Sequence, residues 1–163
     1  MTHSVQLPFS PLNEKFVEWE LEDSNNKQFF ADQYPLRILI ADDEYTSRRI
    51  LTMLLQRWGY KVDSVEDGLE CLDAALGGTY DLILSDVDMP NMGGFECTNN
   101  LREAGIKIPI IAVSATSVEN PYEHCLRAGM NGYLPKPVPQ EELKSILREA
   151  FYRKVRKAEI RPK

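Results

Sequence analysis

The chain has 163 residues, 43% hydrophobic and 27% charged, with a formal net charge of −6. That length holds one well-packed domain, the composition is that of an ordinary soluble protein, and the negative balance argues against nonspecific nucleic-acid binding. No apolar stretch approaches the length needed to cross a bilayer, so no membrane span is expected.

The first 35 residues fall outside any regular pattern. They hold Pro8, Pro11, Pro35 and scattered aromatics (Phe16, Trp19, Phe29, Phe30), and read as a partly ordered arm or linker. No basic stretch followed by an apolar one opens the chain, so a cytoplasmic location is expected. From Leu36 a regular alternation begins. LRILIA (36–41) reads as a buried strand, and Ile50, Leu51, Leu54, Leu55 and Trp58 then recur at helical spacing until Gly59. YKVDSV (60–65) alternates like a half-buried strand, and Leu69, Leu72, Ala75 and Leu76 form a short helix closed by Gly77-Gly78. YDLILSD (80–86) is a second buried run, followed by a helix around Phe95 to Glu103 and a third buried run, IPIIAVSA (108–115). A short helix near Tyr122 to Arg127, a proline-broken strand GYLPKP (132–137) and a long helix from Gln140 to about Ala158 complete the pattern.

Five strand–helix units in series, the first, third and fourth strands being continuous buried runs, point to a parallel sheet covered on both faces. Right-handed crossovers then favour a flavodoxin-like, doubly wound, five-stranded parallel sheet of order 2-1-3-4-5 with five helices. The domain is expected over residues 36–151, with 152–163 a basic extension of the last helix. Cys71, Cys97 and Cys125 are odd in number and have no CxxC spacing, so free thiols in a reducing compartment are expected. The start is acidic (Glu14, Glu18, Glu20, Glu22, Asp23) and the end basic (Arg148, Arg153, Lys154, Arg156, Lys157, Arg161, Lys163). Each run reads as a solvated face or tail, or the two attract one another.

In such a sheet the working crevice lies beyond the carboxyl ends of the strands. The first strand delivers Asp42 and Asp43 there, the third Asp86 with Asp88 two residues on, the fourth Ser114 and the fifth Lys136. Each alone has a structural reading: a helix N-cap for the Asp pair, a turn hydroxyl, a solvated lysine. Brought together, the carboxylates repel one another unless a cation sits among them, and an oxygen-rich cluster with room for water suits Mg²⁺. A carboxylate held beside Mg²⁺ can attack phosphorus, which gives Asp86 the role of nucleophile. Mg²⁺, the Lys136 ammonium and the Ser114 hydroxyl would then meet the phosphoryl oxygens.

ILIADDE, LILSDVDMPNMGG, IIAVSA and AGMNGYLPKP, in this order, resemble the signatures of response-regulator receiver domains of two-component signalling. MPNMGGFE and HCLRAGMNGYLPKPV are most similar to receivers of hybrid histidine kinases. The resemblance implies Asp86 as phosphoacceptor, Asp43 and Asp86 as metal ligands, Asp42 acting through water, and the main-chain carbonyl of Asp88 as a further ligand. It implies Ser114 as the switch hydroxyl, Tyr133 as the aromatic that turns inward with it, Lys136 as the phosphoryl-binding cation and Pro137 as the residue that fixes its loop, by a cis peptide. The phosphodonor would be a histidine kinase or a histidine phosphotransfer protein, and the output a protein partner.

Two departures stand out. Gly93 replaces an acidic residue often found before Gly94, and Asp88 puts a carboxylate beside the phosphoryl site where neutral residues are common. The last helix keeps an apolar stripe (Leu143, Ile146, Leu147, Ala150, Phe151, Val155, Ala158) beyond what the sheet could cover. It reads as a frayed basic tail, or as a helix meeting a second copy, a partner or the N-terminal arm. Two rival functions remain on the residues alone: a receiver without phosphorylation that acts as a binding module, and a haloacid-dehalogenase-like phosphatase, for which the later acidic metal ligands are missing.

Overall fold

A computed structural model describes residues 28–115 and 119–160. Four-residue strands alternate with helices: α1 (Phe30–Gln33), β1 (Ile38–Ala41), α2 (Tyr45–Arg57), β2 (Val62–Val65), α3 (Gly68–Gly77), β3 (Leu82–Ser85), α4 (Gly94–Glu103), β4 (Ile110–Ser114, one residue longer), α5 (Pro121–Ala128), β5 (Gly132–Pro135) and α6 (Gln140–Ile160). The strands form one sheet of order β2-β1-β3-β4-β5, parallel throughout, with Ile38 level with Val62 on one side and Leu82 on the other. The expected sheet and its order are present. The helices number six among the described residues, because α1 precedes the five that were expected.

The period-2 geometry of the strands divides the core into two layers. Ile38, Ile40, Leu82, Leu84, Ile111 and Val113 face Leu51 and Leu55 of α2 and Leu143, Ile146, Leu147 and Ala150 of α6. Leu39, Ala41, Ile83, Ile110 and Ala112 face Cys71 and Ala75 of α3, Cys97 and Leu101 of α4 and Cys125 of α5. All three cysteines are buried free thiols, and burial raises the Cys125 pKa to about 11, so it stays protonated at neutral pH. β2, on the sheet edge, buries none of its residues fully.

The boundary expected at residue 36 lies inside the packed structure. Phe30, Ala31 and Tyr34 are buried in the first layer, the Phe30 ring lies 4.8 Å from Tyr34 and 6.1 Å from Trp58, and the Tyr60 hydroxyl donates to the Tyr34 carbonyl at 2.7 Å. α6 continues to Ile160 as one helix. Its stripe gains a partner at this point, because the Phe151 and Tyr152 rings pack edge-on against Tyr34 at 5.7 and 6.1 Å. The acidic segment at 14–23 and Arg161 and Lys163 lie outside the described residues. Ile50, placed on the apolar stripe of α2 by its spacing, is 62% exposed.

Candidate functional site

Backbone pairing sets the acidic residues in place. β1 ends at Ala41, whose carbonyl accepts from the Asp86 amide at 2.8 Å, while the Asp42 amide donates to Val65 at 3.1 Å. The loops that follow β1 and β3 are therefore side by side. One carboxylate oxygen from each of Asp42, Asp43 and Asp86 lies within 4.8 Å of the others; Asp42 is buried, Asp86 half-buried and Asp43 exposed. Opposite ligands of an octahedral Mg²⁺ are about 4.2 Å apart, so small side-chain adjustments would enclose such an ion. The cluster opens to water on the Asp43 side, which suits a cation that keeps part of its hydration.

Lys136 reaches the same point from β5. Its ammonium donates to Asp42 Oδ2 at 2.8 Å and to Asp86 Oδ2 at 3.4 Å. Burial pulls the Lys136 pKa down, but the two carboxylates outweigh it and the ammonium is held above its ordinary value. The Asp86 pKa is raised as well, which for a carboxyl disfavours the charged form. Burial raises its pKa, Lys136 opposes this, and neighbouring Asp42 adds to it. Asp42 Oδ1 accepts from the Glu44 amide at 2.9 Å, so both its oxygens are engaged. Asp86 Oδ1 accepts from the Val87 amide at 2.7 Å and the Asp88 amide at 3.4 Å, which fixes the carboxylate plane.

Ser114 is the last residue of β4 and is buried; its carbonyl accepts from the Lys136 amide at 3.1 Å. Ser114, Tyr133 and Asp88 line one cavity of about 290 Å³ together with Val87, Phe95, Pro121, His124 and Cys125. The Lys136–Pro137 peptide is cis. A second depression, about 430 Å³, runs from Asp42 and Lys136 past Pro137 and Val138 to Ile50, Met53 and Leu54 of α2. Exposed Ile50 and Met53 give this groove an apolar rim.

The structure thus brings Asp42, Asp43, Asp86 and Lys136 to one point and sets Ser114, Tyr133 and Asp88 around an adjoining cavity. Three supports were not visible from spacing. Arg48 donates to the Asp42 carbonyl at 2.8 Å and to Glu66 at 3.1 Å. Asn91 donates to Asp67 at 2.7 Å. Gly94 starts α4 against the phosphoacceptor candidate, since a Cβ there would lie 2.2 Å from the Asp86 carbonyl oxygen. The only sequence signals for these were the Asp67-Gly68 and Gly93-Gly94 pairs, both legible merely as turns.

This crevice, on a doubly wound parallel sheet, defines the class. Residues 38–148 match the response regulator receiver domain family, and the chain belongs to it, as part of two-component signalling. Sensor histidine kinase RcsC of Escherichia coli (strain K12) is 32% identical over 165 residues, which cover 96% of this chain and 17% of the kinase. Two-component response regulator 24 of Arabidopsis thaliana is 40% identical over 119 residues, 72% of this chain and 86% of that protein. Among solved structures, the receiver domain of sensor histidine kinase PA1611 from Pseudomonas aeruginosa PAO1, with a magnesium ion coordinated in its active site cleft, is 35% identical. It superposes with a TM-score of 0.65 over 72% of this chain and 98% of that one. This chain therefore spans less than a fifth of the RcsC-type kinases it matches.

Proposed function

We propose that this chain is a phosphorelay receiver that takes a phosphoryl group from a phosphohistidine onto Asp86 and, in response, reshapes the face made by α5, β5 and α6 for a protein partner. The single observation that carries the reading is the convergence of Asp42, Asp43 and Asp86 with the Lys136 ammonium at one half-open point. Asp43, Asp86 and the Asp88 carbonyl would hold Mg²⁺, with Asp42 acting through water. Bound there, Mg²⁺ supplies positive charge to the phosphoryl oxygens as charge builds on them.

The chain's own residues do the rest. The Val87 amide holds the Asp86 carboxylate in one plane, so that its oxygen meets phosphorus in line. The phosphorus–nitrogen bond breaks as the phosphorus–oxygen bond forms, and the imidazole departs with the electron pair. Lys136 exchanges a carboxylate oxygen for a phosphoryl oxygen and keeps its charge compensated throughout. Ser114 and Tyr133, on the walls of the adjoining cavity, answer the new dianion by moving toward it, the serine by hydrogen bonding and the ring by filling the space. The apolar-rimmed groove beside Asp42 and Lys136 is where a histidine kinase or histidine phosphotransfer protein would dock. The face of α5, β5 and α6 would meet a downstream target or a second copy, in the cytoplasm.

Acetyl phosphate or phosphoramidate with Mg²⁺ should label the protein, read by intact-mass spectrometry, and EDTA should prevent labelling. The Asp86→Asn variant should not be labelled. Equal labelling of that variant would refute the assignment, and an unlabelled wild-type protein would leave a binding module.

A further inference from the structure

β2 sends no carboxylate to the cleft, yet the loop after it touches both loops that do. Asp67 is the N-cap of α3, and its two oxygens are divided between two tasks. Oδ1 accepts from the Glu70 amide at 2.8 Å, inside the helix. Oδ2 accepts from the Asn91 side-chain amide at 2.7 Å, across to the loop that carries Asp86 and Asp88. The adjacent Gly68 amide donates to the Met92 carbonyl at 2.9 Å. The approach there is so close that a Cβ on Gly68 would lie 2.1 Å from that oxygen. Glu66 meets Arg48, which in turn grips the Asp42 carbonyl. Three consecutive residues, Glu66, Asp67 and Gly68, thereby tie the Asp42 loop and the Asp86 loop to the start of one helix.

The segment from Asp86 to Gly93 needs such ties. It has no regular secondary structure, Asp88, Pro90 and Asn91 are exposed, and Asn91 sits at φ 67 in the left-handed region, a conformation that asparagine tolerates better than most side chains. At its Asp86 end the segment is held by the Val87 and Gly94 amides. At its far end the cross-loop ties given above run to Asp67 and Gly68. A cation site loses affinity when its ligands are free to wander, because their ordering must then be supplied on binding.

We propose that Asp67 and Asn91 are positioning residues for the divalent-cation and phosphoryl site, fixing the Asp86–Asp88 loop through their shared hydrogen bond. The inference rests on the reading of Asp86 as a metal-assisted phosphoacceptor. Three full-length variants separate the bond from charge and from folding. Asp67→Ser keeps a capping oxygen for the start of α3. Its single, shorter oxygen cannot serve the Glu70 amide and also reach Asn91. Asn91→Gly removes the bond without changing charge and accepts the positive φ. The double variant D67N/N91D restores the bond with donor and acceptor exchanged and the total charge unchanged.

Mg²⁺ alone is titrated into each protein and followed by amide chemical shifts in NMR, at a temperature where all are folded. Each single variant should bind Mg²⁺ about fivefold more weakly, the scale of one ordinary hydrogen bond, and the double variant should return to within about twofold of wild type. Labelling by acetyl phosphate at subsaturating Mg²⁺ should fall in each single variant and recover in the double variant. Wild-type affinity in Asn91→Gly, or no recovery in the double variant, would overturn the proposal. A wild-type protein that binds no Mg²⁺ would instead bring down the phosphoacceptor reading itself, a result seen without any variant.

Discussion

At the carboxyl ends of the strands, Asp42, Asp43, Asp86 and Lys136 crowd together, half open to water and held by directed hydrogen bonds. At the amino ends, Phe30, Tyr34, Trp58, Phe151 and Tyr152 pack against one another in tilted and edge-on pairs. Lys144 lies 5.0 Å above the Trp58 ring and Arg148 lies 5.7 Å from that of Phe30. The aromatic end removes apolar area from water and contributes stability. The acidic end gathers like charges and spends stability to hold them in a reactive arrangement. A substitution at the aromatic end should therefore cost stability and leave the chemistry intact, and one at the acidic end should cost chemistry and release stability.

The largest expected break of this contrast is Phe30→Ala. It empties a buried aromatic site on α1 and should lower unfolding stability by about 3 kcal/mol, measured by urea titration. Labelling of the protein still folded should be unchanged. A labelling defect as large as the stability loss would mean that the two ends are coupled.

Asp86→Asn should act in the opposite sense on stability. Burial holds the Asp86 carboxyl above its ordinary 3.8 in the folded chain, so the folded state binds protons more readily than the unfolded one. Its ionised form then subtracts stability as pH rises through the raised value. In EDTA at neutral pH the asparagine variant should unfold at higher urea than wild type, by less than the Phe30→Ala cost. The gain should fade as pH falls below that raised value. A variant less stable than wild type at neutral pH would contradict the account of strain at this end.

The smallest effect is expected of Lys154→Gln. Lys154 donates to Asp81 at 3.1 Å and to the Pro35 carbonyl at 3.5 Å, near the aromatic end. Its side chain is 44% exposed, and exposed pairs are screened. The change should stay within about 0.5 kcal/mol by the same titration. A larger loss would mean that charge, and not aromatic packing, secures α6.

The two ends were unequally legible in the sequence. Strands buried on both faces announce themselves as continuous apolar runs, and each strand's exit residues followed from where those runs stop. Asp42, Asp43, Asp86 and Lys136 were thus brought together by topology alone. Phe30 and Tyr34 were not, because a four-residue helix is too short to display a period and Pro35 separates it from β1. Ile50 was misplaced for a related reason. It lies about 100° from Leu51 around the helix, at the edge of the apolar arc, and only packing decides how far around that arc the sheet covers. The Asp67–Asn91 and Arg48–Asp42 contacts join loops from different parts of the chain, and hydrogen bonds across such distances leave no pattern of spacing to read.

The most direct measurement traps the modified residue itself. After incubation with acetyl phosphate and Mg²⁺, borohydride reduces an aspartyl phosphate to homoserine, and tandem mass spectrometry of the digested protein locates it. Homoserine at position 86, and at no other aspartate, is the predicted result. Homoserine at Asp42, Asp43 or Asp88 with Asp86 intact would contradict the account.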